Sequence, residues 1–131
     1  MIFVDTGAWF ASDVPVDPVH TAAVRFLASV REPLVTTDYI IDELLTLLQM
    51  RGFPQCARIV GEALLKSDVC RLERVTASDA SAVWNVFNAY EDKRWSFTDC
   101  VSREVMRRLD VRRAFAFDEH FRPFGTVEVV P

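Results

Sequence analysis

The sequence predicts an α/β sandwich with a parallel sheet. Short apolar segments of strand length alternate along the 131 residues with amphipathic segments of helical length, as in βαβ units. Half of the residues are hydrophobic and 26% are charged, a composition typical of a globular chain. A chain of this size buries enough apolar surface to fold without disulfides or a structural metal. We find no repeat, linker or low-complexity segment, and we therefore expect a single domain over residues 1–131.

Five short segments rich in β-branched and aromatic residues predict the strands. They are residues 2–4, 34–36, 69–75, 114–117 and 127–130. The first segment stops at Asp5, and the residues that follow it through Pro15 and Pro18 are expected to form a loop.

Apolar residues at helical spacing, together with start and stop signals, predict five helices. They span about residues 20–30, 38–52, 54–65, 76–90 and 96–109. Asp38 is the expected cap of the second helix, and Pro54 fits the first turn of the third. Ser96 and Asp99 form a capping box at the start of the last helix.

The composition excludes several classes of protein. A formal net charge of −4 and a pI near 5.1 do not fit a general nucleic-acid coat. The three cysteines form no CxxC motif, and His20 and His120 lie far apart, so a Cys/His zinc site is not expected. The sequence also lacks a P-loop phosphate-binding motif. Any metal chemistry must therefore use oxygen ligands.

No targeting or membrane segment is predicted. The N-terminus lacks a basic leader, and its first apolar run stops at Asp5. No uncharged apolar stretch approaches the roughly 20 residues of a membrane span. We therefore expect a cytoplasmic protein in a reducing compartment.

Four acidic residues are candidates for a shared site. Asp5 and Asp118 each follow a predicted strand directly. Glu43 and Asp99 lie in the first turns of predicted helices. The carboxyl ends of parallel strands and the starts of the helices after them share one edge of the sheet, so these side chains are expected to converge. Converging like charges require compensation, and a hard divalent cation such as Mg²⁺ provides it through oxygen ligands.

Four segments in this order resemble the acidic motifs of the PIN domain. They are Phe-Val-Asp5-Thr6-Gly7, Ile-Ile-Asp-Glu43-Leu-Leu, Ser-Phe-Thr98-Asp99 and Phe-Ala-Phe-Asp118-Glu-His-Phe121. The resemblance covers nearly the whole chain, which looks most like the VapC-type toxins of bacterial toxin–antitoxin pairs. It implies a three-layer PIN-like fold, with a central parallel sheet of about five strands and helices on both faces. It also implies a Mg²⁺- or Mn²⁺-dependent endoribonuclease that cuts tRNA, ribosomal RNA or messenger RNA.

The resemblance further implies roles and partners. By position, the residues that match the metal-binding and catalytic acids of the family are Asp5, Glu43, Asp99 and Asp118. Thr6 and Thr98 match hydroxyl positions that support such a site. The implied partners are an RNA substrate, a second copy of the chain in a homodimer, and a small VapB-like antitoxin whose C-terminal segment blocks the site.

Other side chains are candidates for contact with RNA. Arg103, Arg107 and Arg51 come from helices predicted near the site and offer positive charge to phosphate. Trp9 and Trp95 lie close in sequence to two of the acids, and each either stacks on an unpaired base or packs in the core.

One stretch is rather apolar for a lone domain. It is the run 40–48, together with Leu64 and Leu65 in the next helix. We expect part of it to form the interface with a second copy or with the antitoxin.

Alternatives from other classes remain open. In a non-catalytic PIN-like binding module, the acids would hold a structural ion or a basic partner peptide, although the presence of all four weighs against it. An aspartyl phosphatase is disfavoured because Gly7 stands where its general acid belongs, and a receiver domain because Lys93 is the last lysine. Taken singly, each acid also fits a turn, a cap or the helix dipole. Asp42 points about a quarter-turn away from Glu43 and serves as a control.

Overall fold

The computed structural model of the chain describes residues 1–119, 121 and 127–131. Within them, five strands form one sheet in which every neighbouring pair is parallel. They are β1 (Ile2–Val4), β2 (Leu34–Thr37), β3 (Arg71–Glu73), β4 (Arg113–Phe115) and β5 (Glu128–Val130). The spatial order is β3-β2-β1-β4-β5, which confirms the predicted α/β class. The chain places β2 and β3 on one side of β1 and then β4 and β5 on the other side. Ligands bind at this change of strand order, between β1 and β4, in folds of this kind.

Six α-helices connect the described strands. They are α1 (Thr6–Asp13), α2 (His20–Ser29), α3 (Asp38–Met50), α4 (Pro54–Leu65), α5 (Ala77–Ala89) and α6 (Phe97–Arg108). Because parallel crossovers are right-handed, α1 to α4 cover one face of the sheet, and α5 and α6 cover the other. None of these helices combines the length and the apolar character that a bilayer-spanning helix requires, as far as the described residues extend.

The loop predicted after Asp5 is wrong, because α1 begins there. Gly7 and the prolines indicated a loop, and glycine is a poor helix former. However, Ala8, Trp9 and Ala11 are buried in the core, so tertiary packing outweighs the local propensity. The first functional candidate therefore lies at a helix start.

Some predicted boundaries also differ from the structure. Thr37 caps α3 in place of Asp38, since its side chain accepts a hydrogen bond of 3.1 Å from the Ile40 amide. The Asp38 carboxylate instead accepts a hydrogen bond from the Val75 amide, beyond β3. The third and fourth strands are shorter than predicted. As a result, Asp118 follows β4 by three residues and not directly.

Aromatic packing fixes the central strands. Phe3 of β1 and Phe115 of β4 are fully buried. Phe26 of α2 packs on Phe115 with ring centroids 4.5 Å apart, and Phe121 lies 6.2 Å from Phe3. The two strands that end beside the site are thus held by rigid contacts.

A buried ion pair joins the two helices of the other face. Asp79 of α5 is 3% exposed, and both of its carboxylate oxygens accept hydrogen bonds from Arg108 of α6, at 2.8 and 3.0 Å. Arg108 also donates to Glu73 at 2.9 Å. Burial raises the pKa of Asp79, but hydrogen bonds from Thr76 and Arg108 outweigh it, so the net pKa is lowered. No local pattern around Asp79 indicates this contact, because Arg108 lies 29 residues later in the sequence.

The substitution Arg108→Ala is expected to lower the free energy of unfolding by about 2 kcal/mol, because it leaves the Asp79 carboxylate buried without its cation. Urea denaturation at pH 7 measures the change. Arg112→Ala is the control, since the Arg112–Asp110 pair is 75% and 79% exposed and its loss should leave the midpoint unchanged. Equal effects of both substitutions would show that the buried pair contributes no more than a surface one.

Candidate active site

Asp5 lies between β1 and β4, where the chain changes the side of the sheet to which it adds strands. It directly follows β1, and its amide donates a hydrogen bond of 3.0 Å to the carbonyl of Phe115, the last residue of β4. Its side chain is only 6% exposed. Although Asp5 occupies the N-cap position of α1, its carboxylate makes no capping bond within the described part of the chain. The Asp5 backbone is therefore tied to both central strands.

A buried threonine supports the same strand end. Thr36 of β2 donates a hydrogen bond of 3.2 Å to the Val4 carbonyl, and its oxygen lies 3.4 Å from the indole nitrogen of Trp9. These contacts link β1, β2 and α1 immediately before Asp5. The backbone at Asp5 is consequently fixed from both sides.

Glu43 reaches the site from α3. This helix starts directly after β2, and Glu43 is its sixth residue. The side chain is exposed, as is that of Asp42 beside it. Successive helical residues differ by about 100°, so the two acids point in different directions.

Asp99 lies in the first turn of α6 and has a structural role there. Its carboxylate accepts a hydrogen bond of 2.9 Å from the Ser96 amide, and its own amide donates to the Ser96 hydroxyl at 3.0 Å. This is the predicted capping box. The cap fixes the direction in which the Asp99 carboxylate leaves the helix.

The pKa of Asp5 is raised by its burial and by the other three acids. Burial raises the pKa of Asp5 to about 7, and the Thr6 amide opposes this rise. The negative charges of Asp99, Glu43 and Asp118 raise it further. Each of the three partners therefore lies within electrostatic range of Asp5. Asp118 does so from an exposed position, three residues beyond β4.

The donor chemistry fits a hard divalent cation. All four acids provide oxygen, which Mg²⁺ and Mn²⁺ prefer. The buried Thr6 hydroxyl next to Asp5 has no hydrogen-bond partner among the described residues, so it offers a further oxygen. Over residues 1–119, 121 and 127–131, no three His, Cys, Asp or Glu side chains form a preassembled metal cluster. Repulsion between like charges disfavours such a cluster until a cation offsets it.

The other candidate residues lie at different distances from the acids along their helices. Thr98 precedes Asp99, and its carbonyl accepts a hydrogen bond from Ser102. Arg103 is one helical turn after Asp99. Arg107 is two turns after it and pairs with Glu104. Arg51 follows α3 eight residues after Glu43, about 12 Å along the helix axis. The structure therefore brings Arg103 near the acids, but not Arg107 or Arg51.

Both tryptophans are buried. Trp9 and Trp95 are each 6% exposed, which favours the packing alternative over stacking on an unpaired base. The sequence analysis instead missed two aromatic residues beside the acids. Tyr39 stands one turn before Glu43, and its ring stacks on Phe97 with centroids 6.0 Å apart. Tyr39 and Glu43 are four residues apart on a predicted helix, and this spacing indicates that their side chains are neighbours.

Asp13, at the far end of α1, is a further unpredicted feature. Burial raises the pKa of Asp13 to about 6, while the nearby His20 lowers it. His20 itself lies 2.7 Å from the Ala11 carbonyl. The second histidine, His120, lies outside the described residues. Asp13 belongs to the opposite end of α1 from Asp5 and is not part of the acidic cluster.

The fold agrees with comparisons to known proteins. The PIN domain matches residues 2–125 of the sequence. The chain therefore belongs to the PIN-domain family, which is a family of nucleases.

Its relatives place it among the VapC toxins. The sequence is 36% identical over 131 residues to the 23S rRNA-specific endonuclease VapC20 of Mycobacterium tuberculosis, covering 100% of this chain and 99% of the relative. The crystal structure of Mycobacterium tuberculosis VapC20, described as a Sarcin-Ricin loop cleaving toxin, matches with a TM-score of 0.93, 35% identity and full coverage of both chains. The crystal structure of FitAcB from Neisseria gonorrhoeae matches with a TM-score of 0.67 at 14% identity, covering 100% of this chain and 97% of the other, and shares the fold. The predicted nuclease of VapC type is thus confirmed.

Proposed function

We propose that the chain is a divalent-metal-dependent endoribonuclease that acts on ribosomal RNA, in the manner of the toxin it resembles. One observation carries the proposal. The Asp5 carboxylate is buried at the end of β1, and its pKa is raised to about 7, first by burial and then by the negative charges of Asp99, Glu43 and Asp118. Such an accumulation of negative charge is costly unless a cation binds there. The 36% identical relative is named for cleavage of 23S rRNA, which supports the choice of substrate.

The roles of the residues follow from their positions. We assign Asp5, Glu43, Asp99 and Asp118 to holding Mg²⁺ or Mn²⁺. A bound ion of this kind lowers the pKa of water and offsets charge on the phosphate. Asp5 would hold the cation in its carboxylate form, because the protonated acid is a poor ligand. The Thr6 and Thr98 hydroxyls support the site as hydrogen-bonding groups.

The geometry restrains where the acids point. The Ser96 cap holds the Asp99 carboxylate at the start of α6, and the Phe115 carbonyl holds the backbone of Asp5. Preorganised groups of this kind lower the cost of assembling the transition state. The scissile phosphate would lie over the edge of the sheet between β1 and β4.

The partners of the chain are part of the proposal. VapC toxins pair with antitoxins, and we propose that this chain binds an antitoxin and forms a homodimer as one domain over residues 1–131. Most of the apolar run 40–48 is buried in the core of the chain itself, as is Leu64. Leu65 and Met50 remain exposed, at 51% and 80%, beside a groove of about 810 Å³ between α3 and α4. That groove is the part of the predicted interface still accessible to a protein partner.

Cleavage of a sarcin–ricin-loop oligonucleotide tests the proposal. The purified chain, free of antitoxin, is expected to cut this RNA at one position in Mg²⁺ or Mn²⁺ and to leave it intact in EDTA. Mapping the fragment ends identifies the bond. A hairpin of equal length and scrambled loop sequence is the control substrate.

Two results would contradict the proposal. Cleavage that persists in EDTA would exclude the metal-dependent mechanism. A folded chain that binds a divalent cation but cuts no RNA, including total cellular RNA, would favour the non-catalytic binding module.

A further inference from the structure

A surface cavity of about 490 Å³ lies between the end of α5 and the turn that precedes α6. The residues that line it are Phe87, Asn88, Tyr90, Glu91, Arg94 and Trp95. Trp95 is buried, whereas the Tyr90 ring is 37% exposed. Their centroids lie 5.1 Å apart. The cavity thus has an aromatic wall open to solvent, and its volume suits a group of nucleoside size.

Two arginines lie at this cavity. The guanidinium carbon of Arg103 lies 5.4 Å from the centroid of Tyr90 and 5.9 Å from that of Trp95. Arg94 is one of the lining residues. Within the described residues, neither arginine forms an ion pair. Both guanidinium groups therefore keep their hydrogen-bond donors for an anionic partner.

A row of rings connects the cavity with the acidic cluster. Phe87, which lines the cavity, lies 5.8 Å from Phe97, and Phe97 lies 6.0 Å from Tyr39. Phe97 is two residues before Asp99, and Tyr39 is one turn before Glu43. A molecule that occupies the cavity can therefore extend along these rings to the site of cleavage.

We propose that this cavity binds an unpaired base of the RNA strand, next to the phosphodiester that is cut; this inference rests on the proposed ribonuclease function. The face of Tyr90 stacks on the base, since every base offers a π face. The Asn88 amide supplies a donor and an acceptor for the base edge. Arg103 and Arg94 contact the flanking phosphates.

The charge of the cavity favours RNA over a second copy of the chain. In the lining Arg94 offsets Glu91, and Arg103, whose guanidinium lies over the Tyr90 ring, adds a second cation beside the cavity, so the surroundings of Tyr90 complement phosphate. In a twofold dimer the same surface would meet itself and bring these cations together. The enzyme thus selects RNA in which at least one nucleotide beside the cut is not base-paired.

RNA binding in EDTA tests the proposal without cleavage. Fluorescence anisotropy with a labelled single-stranded RNA is expected to give about tenfold weaker binding for Tyr90→Leu, which keeps an apolar side chain but loses the ring. Tyr90→Phe should bind as the wild type does. Ile59→Ala is the control, because Ile59 is a 71% exposed apolar residue of α4 that does not line the cavity. A blunt duplex should bind equally to all four proteins.

The outcomes separate this proposal from the ribonuclease itself. Unchanged affinity in a folded Tyr90→Leu variant, checked by circular dichroism, would overturn the base-binding cavity even if cleavage is normal. Light scattering shows whether Tyr90→Leu converts a dimer to a monomer. If RNA affinity falls only when the dimer is lost, the base-binding cavity is overturned too. Tyr90-dependent binding of single-stranded RNA by a chain that cuts nothing would support the cavity and contradict only the nuclease.

Discussion

The variant Asp99→Asn is expected to cut RNA at least about a hundredfold more slowly than the wild type in saturating Mg²⁺. The substitution removes one negative charge from the proposed metal site, and a bound cation would contribute several kcal/mol of charge stabilisation in the transition state. The Asn side chain keeps an oxygen that can accept the hydrogen bond from the Ser96 amide, so α6 should still be capped. Initial rates on the sarcin–ricin-loop oligonucleotide measure the effect.

Asp42→Asn is the matched control for this experiment. Asp42 is an exposed acid beside Glu43 that points away from the cluster, and its substitution changes the net charge of the chain equally. It should leave the rate within about twofold of the wild type, as surface substitutions usually do. A comparable loss of rate in both variants would mean that bulk charge, and not coordination by Asp99, controls cleavage.

The second large effect concerns stability in the absence of metal. Asp5 has an ordinary pKa of 3.8 in the unfolded chain and about 7 in the folded one, first because it is buried and then because three other acids face it. Between these values the folded state binds more protons than the unfolded state. The free energy of unfolding must therefore decrease as the pH rises. A shift from 3.8 to about 7 corresponds to a loss of about 4 kcal/mol between pH 4 and pH 8.

Asp5→Asn is expected to remove this loss, because an amide does not ionise. In EDTA at pH 8 the variant should be more stable than the wild type, whereas at pH 4 the two should be similar. Urea denaturation at the two pH values measures how much the free energy of unfolding of each protein changes between pH 4 and pH 8. A wild type whose stability does not decrease from pH 4 to pH 8 relative to Asp5→Asn would show that the Asp5 carboxylate is better solvated than its burial indicates.

Local signals predicted most of this architecture. The capping pair Ser96–Asp99 identifies a helix start because the chemistry of a cap is contained within four residues. The alternation of short apolar segments with helical segments predicted the parallel sheet. The four acids became candidates because each lies next to a predicted strand end or helix start.

The features that were missed depend on contacts distant in sequence. Helix α1 forms because Trp9 and its neighbours are buried by other elements, which Gly7 does not reveal. Asp79 is ordinary in its own segment and becomes a buried ion only when Arg108, 29 residues later, packs against it. The raised pKa of Asp5 likewise requires residues from three separate elements. Sequence patterns identify the residues of the site, but only the assembled fold defines their protonation.

The hydrogen bond between the Asp5 amide and the Phe115 carbonyl has a consequence for synthesis of the chain. Its two residues are 110 positions apart, and a ribosome makes the N-terminal one first. A nascent chain carries Asp5 and Glu43 before Asp99 and Asp118 have been made. The four acids can therefore meet only after residue 118 has been translated. A fragment that ends before residue 99 lacks two of the four acids, so the proposed metal site stays incomplete in it.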